Sequence, residues 1–411
     1  MHYLLTIIII LLFSLSPLSA QWAPKAEHLW EIGRRDSVYS KVLDEVRDFW
    51  VHLPTNYELS EGKEYPVVYI VDGSIHLNGY VNYETYHIGE FPEMIVVGIS
   101  NRENRTRDLT PTNIDEKEGT QPWIRGSGGG AQFTSFVIEE LIPHIDEQYP
   151  TTGYRTLIGH SFGGLFTVNM LMNHSEWFDN YLAFDPSLWW DEELMLHQLK
   201  GLKEGTLEGK SLFLSIANNT ADMSDISLEE IRKDTSLFTE SMRANLKFIE
   251  ELEARNRVDF EWKYYGDENH QSVPLVSMVD GLDYLFGWFA FKGSDLDLIR
   301  NPESDPIETI EAIVKHYEVL SEQFGYTMLP EEEMINGAGY MFLEEAPEKA
   351  YQFFKLNMEN YPDSPNVYDS MADYYIAKEN DERALYYLEK ALEISGDDFY
   401  RSRIMELKKG E

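Results

Sequence analysis

The chain contains no cysteine in 411 residues. That excludes disulfides, thiolate metal ligands, a cysteine nucleophile and the lipid-modified cysteine of a bacterial lipobox. Basic residues are also scarce: 34 Lys and Arg face 72 Asp and Glu, a formal net charge of −38. A surface this acidic repels phosphate backbones, so a nucleic-acid partner is not expected. The histidines are scattered and no H-E-x-x-H pattern occurs, so no metal set is expected. The glycine-rich run Gly126-Ser127-Gly128-Gly129-Gly130 lacks the Gly-Lys-Ser/Thr ending of a phosphate-binding loop and reads as an approach to a helix. No cofactor is implied.

Long apolar runs are missing as well. The one near-continuous run, residues 4–15, is short for a membrane span and suits a signal-peptide core. Pro17, Ser19 and Ala20 follow it, and cleavage after Ala20 is expected, leaving no membrane span. The segment lacks Lys and Arg, and Leu18 stands at the −3 position; an uncleaved anchor is the alternative. Both readings export the mature protein, to the periplasm or the medium.

What is present is enough for a large core. Apolar residues make up 43% of the chain and aromatics 13%, which excludes a disordered or fibrous protein. The length suits two or three domains. Strand-like apolar runs cover residues 43–53, 65–71, 94–99, 154–158, 181–184, 212–216 and 260–265. Helical spacing covers 133–149, 162–172 and 281–291. Continuous apolar strands alternating with helices predict a mostly parallel sheet buried on both faces, within one α/β domain over residues 21–292.

Residues 293–304 are polar, with Gly, Ser, Asn and Pro, and read as a linker. From 305 to 411 the sequence is acidic and helical. A 34-residue frame from Pro365 places small residues at Ala372, Ala384 and Ala391, and large apolar ones at Tyr368, Met371, Tyr375 and Leu388. Small residues let paired helices approach, and large ones fill the gaps between them. One frame earlier, from Glu331, Met334, Ala338, Met341, Ala350 and Phe354 take the same places. This predicts a small all-α, tetratricopeptide-like domain. Two repeats are few for a free solenoid, so the tail is expected to pack on the preceding domain or on a protein partner.

The chemistry centres on Gly159-His160-Ser161-Phe162-Gly163, between a strand and a helix. G-x-S-x-G in that context turns the chain sharply and projects the serine. Ser161 is the candidate nucleophile. A hydroxyl needs a base, expected late in the chain after the last strand. His270, in Gly266-Asp267-Glu268-Asn269-His270, occupies that place. His160 is read as packing beside the nucleophile. The acid that orients the base is expected after residues 212–216, in the loop that begins Ala217-Asn218-Asn219. Asp222 is the first choice there and Asp225 the second. A Ser–His dyad stays open, because Asn218 and Asn219 occupy the first positions off the strand. The backbone N–H of Phe162, with that of Gly73 or Ser74, would form an oxyanion hole. Trp189 and Trp190 either wall an apolar acyl pocket or belong to the core.

These strings resemble the Putative esterase family of α/β-hydrolases, the group of esterase D and the enterochelin esterases. The resemblance runs over about residues 35–292. It rests on Asp72-Gly73, Asn101-Arg102, Arg107-Asp108-Leu109-Thr110-Pro111, Gly129-Gly130, Gly159–Gly163, Pro186-Ser187-Leu188-Trp189-Trp190 and Glu268-Asn269-His270. It implies an α/β-hydrolase fold and hydrolysis of carboxylic esters by a Ser161–His270 pair, with or without a good acid. It also allows a tetratricopeptide-like tail, which some members carry. A small-molecule ester is the expected substrate; catechol siderophore, acetylated-sugar and feruloyl esters all fit. The rivals are a serine peptidase or acyltransferase on the same fold, and a non-catalytic exported scaffold acting through its tail.

Overall fold

A computed structural model describes residues 32–54, 57, 63–117, 120–203, 205–220, 226–255 and 258–410. The expected signal segment 1–20 lies outside these residues. Within them, one eight-stranded sheet has the order β1-β2-β4-β3-β5-β6-β7-β8. Its strands are β1 (Arg34–Ser40), β2 (Glu45–His52), β3 (Tyr65–Val71), β4 (Ile95–Ile99), β5 (Thr151–His160), β6 (Asn180–Phe184), β7 (Ser211–Ala217) and β8 (Asp259–Tyr265). β2 runs antiparallel to β1 and β4, and the other pairings are parallel.

Burial explains which strands the sequence reveals. β3, β4 and β6 are buried along their whole length, as Val/Ile-rich strands under helices on both faces must be. β1 is different. It is mostly exposed, starts Arg34-Arg35-Asp36 and pairs with β2 alone, so it carries no apolar run to read. Charges on an edge strand discourage pairing with other chains.

The helices of this region that matter for the site are α1 (Gly73–Tyr86), α2 (Arg105–Leu109), α5 (Phe162–Asn173), α6 (Trp190–Gly201), α8 (Glu240–Arg255) and α9 (Val273–Phe286). α3 (Gly130–Ser135) continues through a π-helical turn (Phe136–Leu141) into α4 (Ile142–Gln148). Phe133, Val137, Leu141 and Ile145 are all buried, so the spacing read from the sequence survives the wider turn. A short α7 (Leu228–Lys233) is closed by a Ser227–Glu230 capping box. The last helix of this region runs Val273–Phe286, earlier at both ends than the expected 281–291.

The described residues divide into two compact units, those of 32–88 with 93–285, and those of 89–92 with 286–410. The stretch expected as a linker, residues 293–304, begins with a helix. Residues Gly293–Arg300 form helix α10 of the second unit. Buried Lys349 holds its C-terminal end, donating to the carbonyls of Leu298 (2.7 Å) and Asn301 (2.6 Å) and to Ser304 Oγ (2.7 Å). A cation at a helix C-terminus satisfies carbonyls that have no partner within the helix. Polar composition was a poor guide because the stabilising group lies some 50 residues downstream.

The second unit continues as α11 (Pro306–Phe324), α12 (Glu332–Phe342), α13 (Pro347–Asn360), α14 (Pro365–Ala377), α15 (Asp381–Ser395) and α16 (Asp398–Gly410). α12 packs on α13, and α14 on α15. In the later pair Met371, Ala372, Ala384, Leu388 and Ala391 are fully buried, as the frame requires. In the earlier pair α12 is displaced by one residue. Met334 and Met341 are exposed, while Ile335, Gly339 and Phe342 face the core. Gly339 takes the small position: a Cβ there would lie 2.3 Å from the Phe354 ring. A strict repeat length misses this, because burial follows the helix contact and not the count of residues.

Candidate active site

Ser161 stands between β5 and α5 with φ 61° and ψ −118°, a conformation that costs a non-glycine residue free energy. The glycines around it make the turn possible. A Cβ on Gly159 would lie 2.2 Å from the carbonyl oxygen of Gly163, and one on Gly164 would lie 2.9 Å from Pro186. Ser161 N–H donates to Phe184 O (3.0 Å), which ties the turn to the end of β6.

His270 comes from the loop between β8 and α9. Its Nε2 lies 2.9 Å from Ser161 Oγ, and its Nδ1 lies 2.6 Å from Asp185 Oδ2. In the tautomer that donates Nδ1–H to Asp185, Nε2 carries the lone pair that accepts from the Ser161 hydroxyl. The loop is fastened to β7 by Asn218, whose N–H donates to Glu268 O (2.8 Å) and whose side-chain amide donates to Gly266 O (3.0 Å).

The carboxylate on His270 is therefore Asp185, at the end of β6. Asp222 and Asp225 lie outside the described residues. Asp185 is fully buried with φ 37°. Its Oδ2 also accepts from Asn219 (2.9 Å), and its Oδ1 accepts from Ala217 N–H (3.2 Å) and Asn245 (3.4 Å). Four donors around one buried carboxylate replace the water it has lost. Asn219 thus supports an acid carried by the neighbouring strand. The sequence does hold a signal, an Asp directly off an apolar strand, but the expected chain order directed the reading one strand further on.

Phe162 and Gly73 open helices α5 and α1, so their N–H groups have no acceptor within those helices. Gly73 packs against β4 so closely that a Cβ would lie 2.3 Å from Gly98 Cα. Before it, Asp72 takes the left-handed conformation (φ 54°) with its N–H on Asn101 Oδ1 (3.2 Å) and its carboxylate on Arg105 Nε (2.8 Å). Burial raises the Asp72 pKa and the Arg105 guanidinium opposes the rise. Arg105 also donates to His160 O (3.3 Å), which links the start of α1 to the elbow. Ser74, the alternative to Gly73, has an exposed side chain.

Trp189 and Trp190 separate. Trp189 is half-buried, its ring 6.4 Å from that of Phe162. Trp190 has no exposed surface and donates from Nε1 to Thr112 Oγ1 (3.1 Å), so it is core and not a pocket wall. The sequence reading missed Trp123, which is 62% exposed and stacks on Phe162 at 6.0 Å and 24°.

His160 packs on the His270 ring, 4.5 Å away, with His76 behind it at 5.5 Å. Burial first, then the neighbouring His270, His76 and Arg105, push the His160 pKa down to about 2. Burial and Arg105 push that of His76 down to about 4. Both imidazoles are held neutral near pH 7. The unfolded chain binds protons at these sites below about pH 6.5 and the folded chain does not, so stability is lost as pH falls through that point. Each site contributes about 1.4 kcal/mol per pH unit. Urea midpoints at pH 6.5 and 4.5 should therefore differ less in His160→Asn than in the wild type, by roughly 2 kcal/mol in converted stability. Equal differences in the two proteins would refute the neutral assignment.

The profile of the family described as Putative esterase matches residues 40–273, more than half of the chain. The chain belongs to that family. It is 30% identical over 203 residues to a siderophore enterobactin esterase of Emericella nidulans, covering 44% of this chain and 65% of that protein. It is 31% identical over 151 residues to the ferri-bacillibactin esterase BesA of Bacillus subtilis, covering 32% and 51%. The chain thus spans about half to two thirds of the length of these relatives. Among solved structures, the IroE-like serine hydrolase from Shewanella oneidensis shares 29% identity with a TM-score of 0.64, over 80% of this chain and 99% of that one. An uncharacterised protein from Capnocytophaga ochracea, 18% identical with a TM-score of 0.57, has a similar fold over 92% of this chain and 99% of its own. That share takes in helices of the second unit.

Proposed function

We propose that the protein hydrolyses carboxylic esters through an acyl-enzyme on Ser161. One observation carries the reading: His270 lies within hydrogen-bond distance of Ser161 on one ring nitrogen and of a buried carboxylate on the other. His270 Nε2 takes the Ser161 proton as Oγ attacks the ester carbonyl. Negative charge grows on the carbonyl oxygen, toward the N–H groups of Phe162 and Gly73 at two helix N-termini. The alcohol leaves with the proton from His270. Water then attacks the acyl carbon by the same route and releases Ser161. Asp185 keeps the proton on Nδ1 and stabilises the imidazolium.

The named relatives favour a siderophore ester as the substrate class. The apolar N-terminal run supports export. Among the described residues no helix is long and apolar enough to cross a membrane. The buried small residues Ala372, Ala384 and Ala391 support a tetratricopeptide-like second unit, available to a protein partner.

A fluorophosphonate probe and p-nitrophenyl acetate test the chemistry. The purified protein should turn over the ester and gain one label, placed on Ser161 by peptide mass mapping. A folded protein that shows neither turnover nor label, or a label elsewhere, would sink the proposal. Turnover of linear and cyclic siderophore esters against feruloyl and acetyl-sugar esters then ranks the substrate classes.

A further inference from the structure

The short segment after β6 touches the proton relay twice. Asp185 accepts the hydrogen bond from His270 Nδ1–H. Two residues on, Ser187 places its hydroxyl 3.5 Å from Ser161 Oγ. Ser187 is buried, and its position is fixed from several sides. Its N–H donates to Ser161 O (3.1 Å), and its carbonyl accepts from Trp190 N–H (3.1 Å). Between the two residues Pro186 presses against the elbow at Gly164. These main-chain bonds hold the Ser187 backbone beside the nucleophile, within reach of its hydroxyl.

We propose that Ser187 is a further catalytic residue, whose hydroxyl donates a hydrogen bond to Ser161 Oγ as that oxygen gains charge. The direction follows from the relay. Ser161 gives its own proton to His270 Nε2, 2.9 Å away, so its oxygen is the acceptor toward Ser187. When Oγ attacks, its O–H bond breaks, the proton goes to Nε2 and the freed pair forms the bond to the acyl carbon. In deacylation the C–Oγ bond breaks, the pair returns to Oγ and His270 returns a proton to it. Ser187 keeps its own proton throughout and contributes only the hydrogen bond, which shortens as charge develops. Catalytic hydrogen bonds are often long without substrate and tighten in the transition state.

The inference rests on the acyl-enzyme reading above, and labelling of the wild type tests that reading separately. Ser187→Ala and Ser187→Thr should be compared by stopped-flow with p-nitrophenyl acetate, which resolves the acylation burst from steady-state deacylation. Loss of a donor to a charged oxygen corresponds to about tenfold or more. Ser187→Ala should slow both phases by about that factor, with KM within about twofold, the fluorophosphonate label still on Ser161 and the Tm unchanged. Ser187→Thr, which retains the hydroxyl, should recover most of the loss. Rates of Ser187→Ala within twofold of wild type would overturn the inference. So would a Ser187→Thr enzyme as slow as the alanine variant, since packing and not the hydroxyl would then be the cause.

Discussion

Ser161→Ala and His270→Ala are each expected to lower kcat for p-nitrophenyl esters by about 10⁵- to 10⁶-fold, and the double variant by no more than either alone. The two side chains act as one unit. Without the serine the imidazole has nothing to activate, and without the imidazole the hydroxyl is a weak nucleophile at neutral pH. The 2.9 Å contact between them is the only step that the double variant removes twice. The residual rate should resemble what the N–H groups of Phe162 and Gly73 supply by themselves, because neither substitution touches α5 or α1. Additive losses in the double variant would mean that Ser161 and His270 serve separate steps.

Asp185→Asn should lower kcat by about 10⁴-fold with KM changed only a few-fold. An asparagine fits the same space and can still accept from Ala217 N–H and Asn245 through Oδ1. Its amide, however, would donate toward His270 Nδ1. That forces the proton onto Nε2, which then cannot accept from Ser161. Asp222→Asn and Asp225→Asn should each stay within about twofold of wild type. A large loss in either of those, with Asp185→Asn near normal, would move the acid back to the loop after β7. Circular dichroism of Asp185→Asn should match the wild type. The new amide also faces the Asn219 donor, so Asn219→Ala serves as the control for loss of that contact.

Local features of the sequence carried much of this architecture. The runs Tyr65–Val71 and Ile95–Ile99 are apolar at every position because helices cover both faces of a parallel sheet, and that burial is written in the residues themselves. The elbow was legible for the same kind of reason. Only glycine fits where a Cβ would lie 2.2 Å from Gly163 O, so the crowding selects the motif. The late histidine followed from its loop.

Contacts between distant segments were decided only by the tertiary structure. Asp185 becomes the partner of His270 across 85 residues, and the Asn219 that supports it is 34 residues away. No local pattern in 184–188 records either neighbour. Lys349 reaches the last carbonyls of α10 from some 50 residues downstream, and Gly339 on α12 leaves the room that the Phe354 ring fills. Trp190 left the pocket for the core through a hydrogen bond to Thr112, 78 residues before it. Periodicity and sterics act within a few residues and can be read along the chain. The partner of a carboxylate, a cation or an indole is chosen by the packing of strands and helices, and that choice is not local.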